Sequence, residues 1–301
     1  SITCRWNHDN GGSDNVMDDE QLSDLLGVNF YNVFKPYTRE ELHAKGVILF
    51  DEVQPMLDNG VSPTDIFKEI GDFNYGYAKV NLNGKWNFIN RNNKLLSDTW
   101  FDFARYFSDG CACVMLGDKV NFIDTYGEFI SDTWYDGGYV FLNGYAKVEL
   151  DDKLNLIDRN GKCVSDTWFD DVYYFADGYA KVRLGNKWNF IDKNGKCISD
   201  TWFDWVDYFG DGYAKVELDD KLNLIDRNGK CVSNTWFDEI GYFCNGYARV
   251  KLNRKWNFID TIGKCVSDTW YDWVYCFIDG YARVILSNKE FKLDTNGNLY
   301  D

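Results

Sequence analysis

The chain has 301 residues, of which 45% are hydrophobic and 18% aromatic, so it carries enough apolar material to fold rather than stay disordered. Its formal net charge of -16 argues against nucleic acid and anionic membrane surfaces as partners, because an acidic surface repels phosphate groups. No apolar run is long enough to cross a bilayer and no signal-peptide pattern opens the chain, so we expect no membrane insertion, although Ser1 could be a processed end.

Residues 1–63 are predicted to form a helical N-terminal capping segment. Residues 17–26 have the pattern of a short acidic helix, and Thr38 with Glu41 forms a capping box ahead of an apolar periodicity over residues 42–60. A segment this short holds little core of its own. We therefore favour a cap on the rest of the chain over a separate functional domain.

Residues 64–301 are predicted to form a second domain, which repeats every 34 residues. The marker is the pentad Gly-Tyr-Ala-Lys/Arg-Val, altered in its second copy, whose glycine recurs at Gly76, Gly110, Gly144, Gly178, Gly212, Gly246 and Gly280. A phrase of the form Asp/Asn-Thr-Trp-Phe/Tyr-Asp recurs in step with it. The pair of units over 144–211 looks duplicated as 212–279, so the sameness of the copies also reflects shared history.

The pattern inside one unit indicates short strands. In the unit that starts at Gly144, Tyr145 and Lys147 alternate with Ala146 and Val148, which is the period of a strand. Asp-Asp and Arg-Asn-Gly then mark tight turns. We predict an antiparallel meander of three or four strands without a helix. Because such small sheets are not stable alone, each unit must stack on its neighbours.

The tryptophans of the repeated phrase are expected to carry this stacking. They are Trp100, Trp134, Trp168, Trp202, Trp236 and Trp270. Burial of one such ring is worth on the order of 1.5–3 kcal/mol. We therefore expect Trp202→Ala to destabilise the fold by roughly 3–5 kcal/mol.

The ends of the array favour a closed ring. The last copy, 280–301, stops short, and residues 64–75 supply the missing phase, because residues 69–73 resemble residues 239–243. Six whole units over 76–279 and one composite unit then make seven. Propellers often close in this way, so we prefer a closed propeller-like ring of seven β-meander units to an open β-hairpin solenoid.

These motifs resemble a known family. Gly-Tyr-Ala-Lys-Val, then a turn with Lys-Trp, then Phe-Ile-Asp/Asn and a second turn before a lysine, as in residues 76–94 and 178–196, is similar to the WG-repeat (KWG-type) proteins of bacteria. The likeness covers about residues 64–301. The family's glycine after tryptophan is replaced here by Asn87, Asn189 and Asn257. The resemblance implies an interaction module and supplies no catalytic residues.

The sequence nominates no enzyme, cofactor or metal site. His8 and His43 are not spaced as a metal pair, and no P-loop, GxSxG elbow or Rossmann glycine pattern is present. Two columns of repeated aspartates are expected to pair with the repeated lysines or to bond turn amides rather than to ring a cation. They are Asp102, Asp136, Asp170, Asp204, Asp238 and Asp272, and Asp124, Asp158, Asp192, Asp226, Asp260 and Asp294.

The cysteines point to a reducing compartment. Their number is nine, and no two have CxxC spacing, which fits neither a disulfide framework nor a zinc site. Four of them recur at one phase of the repeat and are predicted to be small buried side chains. They are Cys163, Cys197, Cys231 and Cys265. A cytoplasmic location is therefore expected.

The positions that vary between otherwise similar units are predicted to mark a binding surface. They lie in the turn after the first strand and in the stretch after the tryptophan phrase. The candidate binding residues are Tyr173, Trp205, Asp207, Glu239, Trp273 and Tyr275. Trp205 and Trp273 are either stacking platforms or fillers between units.

From these features we expect a non-enzymatic scaffold that presents an acidic, aromatic-rich surface to a protein partner with basic or apolar anchors. The alternative is a carbohydrate or small-ligand binding module that uses tryptophan and tyrosine platforms.

Overall fold

The computed structural model describes residues 39–301, apart from the side chain of Glu41, and these residues divide into two compact units, the first ending at residue 130 and the second covering residues 131–301. The predicted helix at residues 17–26 and the Thr38 half of the capping box lie outside the described residues. The apolar periodicity that follows is split between helices. They are α1 (Arg39–Ala44), α2 (Phe50–Asp58) and α3 (Pro63–Ile66). No helix in the described part of the chain has the length and apolar character to cross a bilayer.

Residues 69–300 form seven antiparallel sheets. The first unit contains sheets 1 and 2. Sheet 1 has β1 (Glu69–Asn74), β2 (Tyr77–Leu82) and β3 (Lys85–Asn90), and sheet 2 has β4 (Phe103–Ala104), β5 (Cys111–Leu116) and β6 (Lys119–Asp124). In the second unit, sheet 3 has β7 (Gly137–Gly138), β8 (Tyr145–Leu150) and β9 (Lys153–Asp158), and sheet 4 has β10 (Asp171–Val172), β11 (Ala180–Leu184) and β12 (Lys187–Ile191). Sheet 5 has β13 (Trp205–Val206), β14 (Tyr213–Leu218) and β15 (Lys221–Asp226), and sheet 6 has β16 (Glu239–Ile240), β17 (Tyr247–Leu252) and β18 (Lys255–Asp260). Sheet 7 has β19 (Trp273–Val274), β20 (Tyr281–Leu286), β21 (Lys289–Asp294) and β22 (Leu299–Tyr300).

The predicted all-β repeat of small antiparallel sheets is confirmed. From sheet 2 onward a two-residue strand begins each sheet and pairs with a hairpin of two longer strands; in sheet 5, Val206 lies opposite Val216, which lies opposite Asn223. Asp219 and Asp220 form the hairpin turn with φ of 52° and 59°, as a tight turn of this kind requires. Each hydrogen-bonded sheet begins one strand before the pentad that marks the repeat. The composite seventh unit, 280–301 with 64–75, stays a prediction.

Successive sheets within the second unit pack face to face. Ala180 and Val182 of sheet 4 share a buried cluster with Leu156 of sheet 3, and these side chains are fully buried. Tyr179 of sheet 4 in turn packs its ring 4.8 Å from Phe209 of sheet 5. Each sheet therefore contributes one face to the preceding sheet and the other to the next, which satisfies the requirement that so small a sheet cannot bury enough surface alone.

The predicted tryptophans are not the most deeply buried rings of this stacking: Trp100 is buried, at 4% exposure, and the other five are half-buried. The fully buried aromatic residue is the one after each tryptophan, with an exposure of at most 2% in Phe101, Tyr135, Phe169, Phe203, Phe237 and Tyr271. Phe203 is bridged to Trp188 of the neighbouring strand and lies in the core between sheets 4 and 5. Because consecutive residues of an extended chain point to opposite sides, Trp202 faces the other way and is half-buried.

Helices α2 and α3 cover the first sheet. Val53 and Leu57 of α2 and Ile66 of α3 pack against Ala78 and Val80 of sheet 1. These two residues correspond in the repeat to Ala180 and Val182, which pack against a preceding sheet in the second unit. The helices therefore occupy the place of a preceding sheet, which fits the capping role predicted for this segment.

A column of buried asparagines also supports the repeat. The side chain of Asn223 donates from Nδ2 to the carbonyls of Ser233 and Thr235, at 2.8 and 3.3 Å, and its Oδ1 accepts the backbone N–H of Leu224. The same three bonds recur at Asn87, Asn155, Asn189 and Asn257. The asparagine that replaces the glycine of the family motif thus fixes the segment that precedes each buried ring.

Candidate functional site

Exposed aromatic side chains gather where the short strands lie. We call this surface the short-strand edge and define it, within the second unit, as the two-residue strand that begins each sheet and the two residues after it. Its large aromatic residues that are 38–49% exposed are Tyr139, Tyr173, Trp205, Tyr208, Tyr242, Trp273 and Tyr275. The edge is therefore rich in rings that the core does not use.

The local fold explains why these rings are exposed. Val206 is fully buried toward sheet 4, so its neighbours Trp205 and Asp207 point away from that core. The backbone N–H of Asp207 still bonds to Lys215 of the next strand, at 2.8 Å. Tyr208 then points back toward sheet 4. Each short-strand segment thus sends side chains to both sides of its own sheet.

Side chains of neighbouring sheets meet along this edge. The rings of Tyr173 in sheet 4 and Tyr208 beside sheet 5 are perpendicular, with centroids 6.3 Å apart. The hydroxyl of Tyr242 donates to the carboxylate of Asp207. Burial and this carboxylate raise the pKa of Tyr242 well above its usual value, so the phenol stays protonated and acts as the donor at neutral pH.

The lysine of the pentad lies beneath these rings. In sheet 4, Lys181 Nζ is 4.3 Å from the ring centroid of Trp188 and donates to the carbonyl of Val206, at 2.9 Å. Burial lowers its pKa, while Asp207 and Asp171 oppose that change. Because the ammonium is held by a ring and a carbonyl, we regard Lys181 as part of the framework of the edge.

The acidic groups of the edge also have partners. Asp171 lies 3.9 Å from Lys147 Nζ, and Glu239 forms an ion pair with Lys251 across the strand pair β16–β17. Asp207 accepts a bond from a tyrosine. Between the rings, the carboxylates of the edge are thus accompanied by lysines, so negative and positive charges alternate. An acidic binding surface therefore stays a prediction.

The structure places the six predicted site residues on this edge in separate groups. Tyr173 and Asp207 adjoin the Tyr208–Tyr242 region, whereas Trp273 packs edge-on against Trp256, with centroids 5.2 Å apart. Next to Trp273, the ring of Tyr275 lies under the guanidinium of Arg283, at 3.9 Å. Trp205 and Glu239 lie at equivalent positions of sheets 5 and 6, each opposite a residue of the central strand.

Sequence reasoning missed Tyr139, Tyr208 and Tyr242. A signal was present, because Tyr174, Tyr208 and Tyr242 occupy one phase of the 34-residue repeat. In a repeat, a residue that recurs at one phase is expected to pack and a residue that varies is expected to bind. On this edge, however, the recurrent tyrosines are themselves partly exposed.

The aspartate columns serve the turns, as predicted. Asp204 accepts bonds from Lys187 Nζ at 2.6 Å and from the backbone N–H of Asp219 at 2.9 Å, and the bond from Lys187 lowers the pKa of Asp204. Asp226 of the second column accepts the N–H groups of Asn228 and Lys230. Within residues 39–301, no three His, Cys, Asp or Glu side chains converge as metal ligands would.

The four cysteines of the repeat, predicted to be buried, are half-buried. Cys231 is half-buried, and burial raises its thiol pKa; burial likewise raises the pKa of Cys113 to about 11. At neutral pH both are therefore thiols rather than reactive thiolates.

A model of the WG containing repeat matches the chain six times. The matched residues are 65–86, 88–119, 156–188, 190–221, 224–256 and 258–289, which together make up more than half of the chain. No curated protein matches it.

Several solved structures share a distant likeness. Hsv2 of Kluyveromyces lactis is 9% identical over 75% of this chain and 93% of that chain, with a TM-score of 0.28. A eukaryotic initiation factor is 12% identical over 78% of this chain and 77% of that chain, with a TM-score of 0.33. PorZ, a surface component of the type-IX secretion system of Porphyromonas gingivalis, is 10% identical over 78% and 37%, with a TM-score of 0.28. Likenesses this weak carry no functional argument.

Proposed function

The chain belongs to the WG containing repeat family, and from this premise we propose that it is a non-enzymatic scaffold that binds a protein partner along the short-strand edge. One observation carries the proposal: seven aromatic side chains of the second unit stand 38–49% exposed along this edge. Tyrosine and tryptophan are the residues most enriched at protein interfaces, because they bury a large area at a small cost in side-chain entropy.

The polar groups of the edge support a protein partner in particular. The carboxylates of Asp171, Asp207 and Glu239 lie between the rings, where they can accept hydrogen bonds from basic or amide groups of a partner. Their present partners can remain in place, since a carboxylate accepts several bonds at once. A reducing compartment such as the cytoplasm remains the expected setting of this scaffold.

A carbohydrate-binding module is the second candidate. Trp205 favours it, because this indole is 39% exposed at the start of a short strand and could serve as a shelf for a sugar ring. Trp273, at the same phase two units later, is equally exposed, at 40%, and packs edge-on against Trp256.

Array binding by the full chain tests the choice. We expect the labelled protein to bind a subset of peptides on a peptide array and no glycans on a glycan array. The double variant Trp205→Ala with Trp273→Ala, the edge variant, should weaken the peptide signals roughly tenfold or more. Ile262→Ala is the matched control, because Ile262 is exposed in a hairpin turn away from the edge. Glycan signals that the edge variant abolishes would favour the second candidate, and peptide signals that it leaves intact would place binding elsewhere.

For the arrangement of the repeats we propose the open alternative rather than the closed ring preferred from the sequence. In a ring, the last sheet would have to cover the Ala78–Val80 face of the first sheet. Helices α2 and α3 already pack on that face, which supports an array that ends there.

Deletion of residues 212–245 tests the arrangement, because it removes one 34-residue period and leaves the frame intact. An open array should still unfold cooperatively, at a lower urea midpoint, since each remaining sheet keeps two neighbours or an end. Circular dichroism during urea titration measures this. A shortened chain without a cooperative transition would instead support a closed ring.

A further inference from the structure

Along the short-strand edge, a tyrosine beside sheet 5 and another beside sheet 6 each contact the equivalent position of the preceding sheet. Tyr208 lies against Tyr173, and Tyr242 bonds to Asp207. In both pairs the tyrosine of the later sheet lies 35 positions after its partner in the preceding sheet. This pairing fills the gap between the edges of successive sheets.

The first unit shows the same pairing with a glycine below. A Cβ built on Gly71 would lie 2.8 Å from Oη and 3.2 Å from Cε1 of Tyr106, so the tyrosine ring occupies the space that a side chain would take. Lys79 Nζ lies 5.0 Å from the centroid of this ring and 3.9 Å from that of Trp86. Gly71, Lys79 and Trp86 thus border the space that the ring of Tyr106 occupies, and we call this ring-binding space the seat.

Between sheets 6 and 7 the equivalent seat lacks its tyrosine. Gly241 corresponds to Gly71, but Cys276 stands where Tyr106 stands in the first unit. The three nearest atoms to a Cβ built on Gly241 all belong to Arg249, at 3.7–3.9 Å, so no side chain of sheet 7 approaches this glycine as closely as Tyr106 approaches Gly71. Cys276 itself is exposed. Its thiol is also much smaller than a phenol.

The cation and the indole of the seat nevertheless have equivalents between sheets 6 and 7. Arg249 replaces Lys79, with its guanidinium 5.7 Å from the ring of Trp256 and a bond of 3.4 Å to the carbonyl of Val274. Trp256 replaces Trp86 and is buried, and Trp273 stands 5.2 Å from it. The cation and the indole that border the ring of Tyr106 therefore have counterparts here.

We propose that this notch, bounded by Gly241, Arg249, Trp256, Trp273 and Cys276, binds an aromatic side chain, tyrosine or phenylalanine, of a peptide from the protein partner. The inference rests on the scaffold function proposed above and names the anchor of its partner. The occupant is an aromatic residue because the chain itself places a tyrosine in the equivalent seat of the first unit. Favourable contacts come from the guanidinium of Arg249 and from ring packing on Trp273, which is 40% exposed.

The test uses the full chain and the blocked peptides Ac-Gly-Ser-X-Ser-Gly-NH2, with X as Tyr, Phe, Leu or Ala. Titrations followed by the indole N–H resonances of Trp256 and Trp273 should give saturable shifts with Tyr and Phe and at least about tenfold weaker binding with Ala. Equal affinity for the Tyr and Ala peptides overturns the proposal, as does the absence of a saturable shift with the Tyr peptide.

Variants of the notch provide the controls. Cys276→Tyr rebuilds the arrangement of Tyr106 and should abolish binding, and Gly241→Leu should do so independently, while Cys276→Ser should leave the affinity within about twofold of that of the wild-type chain. Circular dichroism melts establish that each variant is folded. Retained binding in both folded blocking variants overturns the proposal.

The outcomes separate this inference from the scaffold function. If the Cys276→Tyr chain keeps its peptide-array signals and these still depend on Trp205 and Trp273, the proposal that the notch binds an aromatic side chain is wrong and the proposed scaffold function is supported. An oligosaccharide that shifts the same two indoles more strongly than the Tyr peptide contradicts both.

Discussion

Phe203→Ala will lower the free energy of unfolding by about 3–5 kcal/mol, whereas Trp202→Ala will lower it by about 1–3 kcal/mol. Phe203 is fully buried between two sheets, with Phe190, Val206, Ala214 and other side chains of its cluster around it. Truncation there removes the burial of a whole ring and leaves a cavity that two packed strands cannot close. Trp202 is only half-buried, so alanine removes fewer contacts and water can reach the site.

Urea unfolding of the two variants, followed by circular dichroism, measures the difference. The tryptophan is the larger side chain, so a ranking by size alone predicts the opposite order. A larger loss for Trp202→Ala than for Phe203→Ala would contradict the assignment of the stacking column. A matched control is Tyr208→Ala, because that aromatic residue is 45% exposed and should cost well under 2 kcal/mol.

Asn223→Ala will cost about 2–4 kcal/mol, although it removes no hydrophobic contact. The amide donates to two carbonyls and accepts the backbone N–H groups of Leu224 and, at 3.4 Å, of Ser233, and the residue is fully buried. Alanine leaves these four backbone groups without the partner that the asparagine supplied, and an unsatisfied buried polar group costs about 1–3 kcal/mol. The loss appears as a lower urea midpoint with an unchanged slope.

Asn228→Ala is the control for this prediction. Asn228 lies in an exposed turn, where its backbone N–H rather than its side chain bonds to Asp226. Its replacement should change stability by less than about 0.5 kcal/mol. Equal losses for the two alanine variants would mean that the buried amide network does not hold the repeat.

The repeat and its strands were predictable because their signals are local. The period of 34 residues, the alternation in residues 145–150 and the Asp-Asp turn each specify a nearest-neighbour geometry, and the structure has strands and positive φ angles at those places. Antiparallel pairing then follows, since a two-residue turn joins only antiparallel strands.

It is harder to predict from the sequence which face of each segment is buried. In Thr201-Trp202-Phe203 two adjacent aromatic residues compete for the interior, and alternation alone does not say which one enters. The bridge between Phe203 and Trp188 decides it, and that bridge joins residues 15 positions apart. Size favoured the tryptophan in the sequence, whereas strand pairing selects the phenylalanine.

The buried asparagines and the recurrent tyrosines of the edge could not be predicted for a related reason. A buried Asn189 and an exposed Asn194 look alike in a sequence, and only the fold shows that Asn189 bonds to two carbonyls of the following turn. Likewise the recurrence of Tyr208 and Tyr242 suggested packing. Both are partly exposed, because each covers the edge of the preceding sheet from outside.

The most direct test of the account is hydroxyl-radical footprinting of the native chain, read out residue by residue by mass spectrometry. The aromatic side chains form a buried column that holds the sheets together and an exposed edge that is free to bind. We predict strong modification of Tyr139, Tyr173, Trp205 and Tyr208 and protection of Phe203, Phe237 and Tyr271 until the chain unfolds. Protection of the first group, or modification of the second in the native chain, would contradict this arrangement.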